Sequence, residues 1–300
     1  MPMQPTPAPI PAVDPAARFE VLPLGKSETE AAQLPEPVRL TVTCSPKHGP
    51  DHSVQVAGRL RALGHAVTVH IASRMVRDGD HLDELLGAMA TAGVDDLFLI
   101  GGDADPPHGE FSSAVDLLPV IAEHPRRPAT IGIAGYPEGH PLIDDDTLAR
   151  ALADKSLMAD YFTTQLCFDP ATLTRWIGEQ RERGIELPVL VGMPGKVAAT
   201  RLLEMSARIG VGPSMAFVRK QSGLRSLLGL LRRSAPDRLY DALAREIGGA
   251  LGVVGFHYFT FNQLVATYEW QRGKAPGPAG EQSVAARSIG GYRQAEESRT

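Results

Sequence analysis

Polar side chains interrupt or directly follow several short apolar segments of this 300-residue chain. Glu20 lies inside the segment RFEVLP, and Asp103 directly follows the segment DDLFLIGG. A carboxyl group enclosed by apolar residues is suited to general acid catalysis, and burying it is costly unless it is paired or used. A set of such groups therefore indicates a catalytic or binding site, and its further candidate members are Thr43, His70, Tyr136, His140, Gln165 and His257.

Both carboxylates also admit a structural interpretation. Glu20 is compatible with an inward carboxylate held by a buried arginine or histidine. Asp103 is compatible with an Asx-type turn cap in the segment IGGDADPP, where Gly101 and Gly102 let the backbone approach a ligand closely. Asp105 is the rival carboxylate of that segment, but it precedes a proline and is expected to end the loop.

Eight apolar segments rich in Val, Ile, Thr and Phe alternate with helical patterns. Nearly continuous apolar segments are typical of parallel strands buried on both faces. Eight strand–helix repeats predict a closed (β/α)8 barrel, an α/β fold whose catalytic groups lie at the carboxyl ends of the strands. An open doubly wound sheet is the alternative, but its dinucleotide-binding form needs a glycine-rich turn after the first strand, where Gly25 is the only glycine. The predicted strands cover residues 18–23, 38–44, 65–72, 95–102, 129–137, 161–167, 188–194 and 253–261.

The pattern predicts one catalytic domain over residues 17–272. Residues 1–16 are rich in Pro and Ala and residues 273–300 are polar without a sustained apolar period, so we expect two disordered tails. The first crossover, around residues 27–34, is short, so a truncated helix is expected there. Between the seventh and eighth strands, residues 195–252 carry extra predicted helices, the last of them over residues 237–252. One of them is the basic segment 213–234, whose arginines and lysines are expected to form a solvated helix face.

The composition argues against several classes of protein. A formal charge of −5 disfavours binding to nucleic acid or anionic membranes, and no apolar run reaches the roughly 18 residues of a membrane span. Two distant cysteines, Cys44 and Cys167, form no disulfide framework and fit a reducing compartment. The amino-terminal segment lacks the features of a signal peptide, so we expect a cytoplasmic protein, and one that forms homo-oligomers. The histidines between residues 48 and 70 show no metal-ligand spacing, so we expect no metal site.

Five motifs resemble, in the same order along the chain, those of methylenetetrahydrofolate reductases. RFEVLP resembles the FEFFPP start of that family, and LIGGDADPP resembles its LRGDxPP loop. AGYPEGHP is similar to the family's AxYPExHP, TTQLCFD to ITQxFFD, and GFHYFTFN to xFHFYTLN. The motifs span residues 18–263, almost the whole of the predicted barrel.

This resemblance implies interconversion of 5,10-methylenetetrahydrofolate and 5-methyltetrahydrofolate by hydride transfer from NADH or NADPH through FAD. It implies that Glu20 is the acid that helps to open the five-membered ring of the substrate, and that Asp103 lies near both the flavin and the folate. It also implies that Gln165 hydrogen-bonds the pterin and that Phe168 and His257 belong to the folate site. The positions that match the family's FAD contacts are Thr43, His70, Gly102, Asp103, Tyr136, His140 and Lys155.

The chain departs from the family pattern at three positions. Gly101 stands where the family has an arginine before Gly-Asp, Asp154 where a basic residue is common, and Gln263 where an arginine follows the final Leu-Asn. Two other functions therefore stay open. One is a non-redox tetrahydrofolate-dependent demethylase or methyltransferase that reuses the pterin pocket, and the other is a non-catalytic paralogue that binds folate or flavin.

Overall fold

Eight parallel strands close into a barrel, in which each strand pairs with the next along the chain and the eighth pairs with the first. The computed structural model describes residues 17–197 and 235–274. The prediction of a (β/α)8 barrel is confirmed, and the alternative of an open sheet is wrong. The strands are β1 (Arg18–Val21), β2 (Arg39–Val42), β3 (Ala66–Ala72), β4 (Asp96–Ile100), β5 (Thr130–Gly135), β6 (Tyr161–Thr164), β7 (Val189–Pro194) and β8 (Val253–Phe259).

The helices return the chain from the carboxyl end of one strand to the amino end of the next. Several helices begin directly after a residue whose side chain accepts a hydrogen bond from a backbone nitrogen of the first turn. Asp78, Asp144 and Asp169 cap their helices in this way. The first helix has only six residues, as its short crossover predicted. The helices are α1 (Lys26–Ala31), α2 (Gly49–Ala62), α3 (Gly79–Ala92), α4 (Ala114–Ala122), α5 (Asp145–Ser156), α6 (Pro170–Glu182), α7 (Ala235–Leu243) and α8 (Leu264–Arg272).

The insertion between β7 and β8 is described only from residue 235 onward. Its last helix, α7, ends at Leu243 and continues as the short 3-10 helix Ala244–Glu246, so the predicted helix over residues 237–252 was too long. Gly248 and Gly252 have φ angles of 75° and 65°, and such positive values do not occur within a right-handed helix. The predicted tails up to residue 16 and from residue 275, and most of the predicted basic segment, lie outside the described residues.

Side chains of β1 alternate between the barrel interior and the helix layer. Arg18 reaches Asp96 of β4 and Tyr161 of β6, which lie on other sides of the barrel, so its side chain points inward. Phe19 points outward and packs against the ring of Tyr268 in α8 at 6.3 Å between ring centroids. Glu20 follows in the alternation and therefore faces the interior, above Arg18.

A buried polar cluster closes the amino end of the barrel. We call Arg18, Thr68, Asp96 and Tyr161 the barrel floor. Nη1 of Arg18 donates to Oδ2 of Asp96 at 2.6 Å, to Oγ1 of Thr68 at 2.7 Å and to the hydroxyl of Tyr161 at 2.8 Å. The Tyr161 hydroxyl donates in turn to Oδ1 of Asp96 at 3.1 Å. Every charge of the floor is therefore paired or hydrogen-bonded, which is the condition for burying it.

Within the described ranges, no helix combines the length and apolarity that a membrane crossing requires. In the same ranges, no group of three or more potential ligand side chains is arranged to hold a metal ion. Cys44 and Cys167 are not joined in a disulfide bond.

Candidate active site

The carboxyl group of Glu20 is paired with a histidine of the neighbouring strand. Oε2 of Glu20 lies 3.1 Å from Nε2 of His257 in β8, and the two side chains are only 10% and 4% exposed. The hydroxyl of Thr260 donates to the backbone carbonyl of Glu20. Glu20 is thus held by a histidine, as one interpretation of the sequence expected, while its side chain still faces the interior of the barrel.

A second histidine lies close to this pair. His70 of β3 faces inward and stacks against Phe98 with 4.7 Å between ring centroids. Burial, reinforced by the nearby His257, lowers the pKa of His70 to about 3, so the ring is uncharged at neutral pH. Its Nε2 is buried and has no hydrogen-bond partner among the described residues.

An apolar surface, which we call the mouth wall, continues from His257 towards the carboxyl ends of the strands. The ring of Phe259 lies 5.0 Å from that of His257, and it packs with Leu166, Phe261 and Phe168. Gly192 of β7 makes room for this ring, because a Cβ atom there would lie 2.9 Å from Phe259 and 2.1 Å from the carbonyl of Thr164. Phe168, which was predicted to contact substrate, therefore packs against the cluster that contains Phe259, and Phe259 contacts His257, the direct partner of Glu20.

Gln165 and Thr43 follow the ends of β6 and β2 and are partly exposed. The backbone nitrogen of Gln165 donates to the carbonyl of Gly135, and its side-chain Oε1 accepts from the backbone nitrogen of Leu166 at 2.8 Å. The amide nitrogen of Thr43 donates to the carbonyl of Val21. Both residues therefore belong to the same end of the barrel, where they were expected.

Asp103, Tyr136 and His140 form a second polar group in the loops after β4 and β5. Burial raises the pKa of Tyr136, and the Asp103 carboxylate raises it further. Burial lowers the pKa of His140, an effect that Asp103 partly offsets. The Tyr136 and His140 rings meet edge to face at 5.5 Å. These three predicted flavin contacts are thus brought together, with the exposed Asp103 carboxylate available to a ligand.

The loop that carries Asp103 is fixed from below by Arg74. Nε of Arg74 donates to the carbonyl of Ala104 at 2.6 Å, and Nη2 contacts the carboxylate of Asp105 at 3.1 Å. Asp105 therefore pairs with Arg74 inside the loop and does not end it, because the loop continues as far as α4 at Ala114. Asp103 accepts no hydrogen bond from the described residues that would make it a turn cap. Gly102 has a φ of 85°, and a Cβ atom there would lie 2.7 Å from that of Ala72.

Lys155 stands apart from the other predicted flavin contacts. It lies in the last turn of α5, ten residues after Asp145, which places its Cα roughly 15 Å along the helix from the end that carries the loops. Its side chain is buried, and burial lowers its pKa to about 8. No side-chain hydrogen bond or ion pair joins it to another described residue.

Sequence reasoning missed the residues that hold β1 against the rest of the barrel. Asn262 donates to the carbonyl of Leu22 and accepts from its nitrogen at 2.8 Å, while Asn262 itself has a φ of 58°. An asparagine directly after a strand was the available signal, because Asn adopts the left-handed region more readily than most residues. Arg18 could have been found as well, because it shares the inward face of its strand with Glu20.

Comparison with known proteins identifies the family. A family model described as methylenetetrahydrofolate reductase matches residues 33–271. Methylenetetrahydrofolate reductase 1 of Schizosaccharomyces pombe is 26% identical over 166 residues, which cover 53% of this chain and 27% of that protein. Methylenetetrahydrofolate reductase (NADH) 1 of Arabidopsis thaliana is 28% identical over 163 residues, with 48% and 27% covered. Probable methylenetetrahydrofolate reductase (NADPH) of Caenorhabditis elegans is 30% identical over 146 residues, with 46% and 21% covered.

The matched segments span only 27%, 27% and 21% of those three relatives. The family model, in contrast, covers the chain from the start of the β2 region into α8. That match extends over well more than half of the 300 residues. The motifs of the barrel strands, the closed barrel itself and the family match agree with one another. The chain therefore belongs to the methylenetetrahydrofolate reductase family.

Proposed function

We propose that this protein interconverts 5,10-methylenetetrahydrofolate and 5-methyltetrahydrofolate, with NADH or NADPH as the source of hydride. The observation that carries the proposal is the buried Glu20–His257 pair, which lies beside the apolar mouth wall at the active end of a barrel of this family. Self-association and a cytoplasmic location stay predictions of the sequence.

The chemistry requires a proton at one nitrogen and a hydride at one carbon of the substrate. Glu20 would supply the proton to the ring nitrogen whose bond to the bridging carbon breaks, so that an iminium cation forms. Phe168 and Phe259 of the mouth wall would cover the folate and exclude water, which protects that reactive cation. Gln165 would hydrogen-bond the pterin after its side chain releases the nitrogen of Leu166.

Part of the structure fits a flavin as the hydride carrier. The unsatisfied Nε2 of His70 and the group of Asp103, Tyr136 and His140 offer polar contacts for the edge of an isoalloxazine ring. FAD bound there would relay hydride from NAD(P)H to the folate. Lys155 would be the partner of its phosphates, and an anion would relieve the cost of burying that cation. Neither Gly101 nor Asp154 supplies a further cation for the cofactor.

The reductase proposal is tested by incubating the purified protein with NADH or NADPH and 5,10-methylenetetrahydrofolate, followed by chromatography of the folates. We expect 5-methyltetrahydrofolate in an amount equal to the nicotinamide oxidised. Loss of the methylene group without nicotinamide oxidation would point instead to a non-redox transferase, and binding without any conversion would identify a non-catalytic paralogue.

The flavin proposal needs a separate measurement. We expect the protein to retain, or to bind on titration, one FAD per chain with a visible absorption spectrum, and we expect His70→Phe to weaken that binding. A colourless protein that neither changes the FAD spectrum on titration nor loses activity on dialysis would contradict the flavin proposal. That result would leave the reductase proposal standing if nicotinamide still reduces the folate.

A further inference from the structure

We propose that His257 is a positioning residue, which orients the carboxyl group of Glu20 towards the substrate rather than binding the folate itself. The inference rests on the proposed reductase function and gives His257 a different role from the substrate contact that the sequence suggested. Four features of the structure support it: the direct contact, the anchored backbone, the enclosed histidine and the free oxygen of the carboxyl group.

The backbone around Glu20 is held without any help from the side chain of His257. The hydroxyl of Thr260 donates to the Glu20 carbonyl, and the side chain of Asn262 binds both backbone groups of Leu22. Strand pairing with β2 and β8 fixes the remaining backbone. Only the side-chain torsions of Glu20 are left free, and these decide where a proton donor points.

His257 is the described residue that restrains those torsions. Its Nε2 lies 3.1 Å from Oε2, while Oε1 of the same carboxyl group receives no hydrogen bond from a described residue. With Oε2 held, the second oxygen is left for a substrate, and the Glu20 side chain keeps an exposure of 10%. An acid held in this way is aligned before substrate binds, which is the usual requirement of efficient proton transfer.

The ring of His257 is itself enclosed, so it has little freedom to turn towards a substrate. The ring of Phe259 meets it edge to face, with 5.0 Å between the ring centroids, and His257 as a whole is 3% exposed. His70 lies near it from β3, and Arg18 is its backbone partner in β1. The Arg18 guanidinium is already paired with Asp96, so it does not compete for Glu20.

The proton step itself involves Glu20 alone. The O–H bond of its carboxyl group breaks, an N–H bond forms on the folate, and the electron pair of the breaking C–N bond stays on that nitrogen. His257 gains and loses nothing in this step. Its contribution is the orientation of the donor, so its removal should lower the rate of the folate step and leave substrate affinity almost unchanged.

The test compares His257→Leu, which removes the hydrogen bond, with His257→Gln, which keeps an amide N–H near the position of Nε2. We expect the rate of folate reduction to fall by about tenfold to a hundredfold in the Leu variant, with KM for the folate changed less than about threefold. The Gln variant should recover most of the lost rate. The solvent deuterium isotope effect should rise in the Leu variant, because proton transfer becomes slower than the other steps.

Two results would overturn the proposal. A raised KM with unchanged kcat in the Leu variant would show that His257 binds substrate, as the sequence suggested. An equal loss in the Leu and Gln variants, without a change in the isotope effect, would show that the residue only supports the fold.

A double-mutant cycle distinguishes failure of this proposal from failure of the reductase proposal. Glu20→Met, which cannot hydrogen-bond to His257, is combined with His257→Leu, and the two single variants and the double variant are unfolded in urea, which requires no catalytic activity. Non-additive unfolding free energies would show that the two side chains interact in solution. Additive values would contradict the contact on which the proposal depends. If the wild-type protein reduces the folate, the double variant should be no slower than Glu20→Met alone.

Discussion

His70 is an uncharged histidine inside the barrel, and this has a measurable consequence for stability. A histidine of an unfolded chain binds a proton below about pH 6.5, whereas the folded protein holds the pKa of His70 at about 3. The unfolded state therefore gains a proton first as the pH falls. The stability that the neutral ring contributes is complete above about pH 6.5 and is lost progressively as the pH falls towards 3.

The prediction compares wild type with His70→Phe, a ring that does not titrate. Between pH 6.5 and 4.5, wild type should lose about 2 kcal/mol more of its unfolding free energy than the variant does. Urea unfolding at several pH values measures this difference, and carboxylates common to both proteins cancel. If the unfolding free energies of the two proteins changed equally with pH, His70 would have to be hydrated or paired in solution.

The mouth wall gives a second prediction at this scale. Phe168→Ala removes a ring that packs against Leu166 and Phe259 but carries no group that donates a proton. If the ring covers the folate, KM for the folate should rise about tenfold, and the affinity for NAD(P)H should not change. Steady-state kinetics with each substrate varied in turn decides the matter. A fall in kcat at constant KM would instead assign Phe168 to the chemical step.

At the scale of single elements, α5 carries a cation, Lys155, that no other residue of the described ranges pairs. Burial lowers the pKa of Lys155 from 10.5 to about 8, so the folded protein bears the cost of a buried charge at every pH below 8. Lys155→Met should therefore raise the unfolding free energy of the ligand-free protein at pH 7 by about 3 kcal/mol. The gain should vanish above about pH 10.5, where the unfolded chain loses the same proton.

Asp154→Asn is the matched control for Lys155→Met, because it removes a charge from the neighbouring exposed position of the same helix. It should leave stability almost unchanged. If FAD uses Lys155, the Met variant should gain stability without cofactor and bind FAD more weakly. A Met variant that is less stable than wild type at pH 7 would contradict the unpaired state of Lys155.

The elements were predictable where their signal is local. Buried parallel strands such as β3 and β7 are continuous apolar segments, and acidic residues such as Asp78 and Asp169 mark the starts of helices. The end of α7 was misplaced, because apolar periodicity continues past Leu243 while the glycines that follow adopt positive φ angles. The helical spacing of apolar residues gives no information about the positive φ angles of those glycines, which are incompatible with a continuing helix.

The partners of the site residues were less predictable than the strands. The sequence placed Glu20 and His257 at neighbouring strand ends, but they are separated by 237 positions and nothing local specifies their contact. The same holds for Arg18 and Asp96, whose pairing follows only from barrel closure. Alternation within β1 does indicate that Arg18 and Glu20 face the same side, so the interior set could be inferred even though its pairs could not.

For the whole molecule, the barrel floor is the polar contact that joins opposite sides of the sheet. Arg18 connects β1 to β3, β4 and β6, and its partners lie within 2.8 Å. Asp96→Ala would leave a buried guanidinium without its anion, and we expect a loss of about 3–5 kcal/mol in unfolding free energy. Chemical denaturation measures this loss directly.

The matched control for the floor replaces the cation together with the anion. The double variant Arg18→Met and Asp96→Leu removes both charges and keeps apolar volume, so it should recover most of the stability lost in Asp96→Ala. If Asp96→Ala were as stable as wild type, water would have to reach the barrel floor in solution. A double variant as unstable as the single one would show that packing, rather than charge, determines the loss.

The measurement that tests the account most directly is the reaction of Glu20→Gln, followed by stopped flow with each substrate separately. Glutamine keeps the size of the side chain and a hydrogen bond to His257 but cannot donate the proton that opens the folate ring. We predict that reduction of 5,10-methylenetetrahydrofolate falls by about 10²–10⁴-fold, while oxidation of NAD(P)H with an artificial electron acceptor stays within about twofold of wild type. Equal losses in both reactions, or an undiminished folate step in a folded variant, would contradict the assignment of Glu20 as the acid.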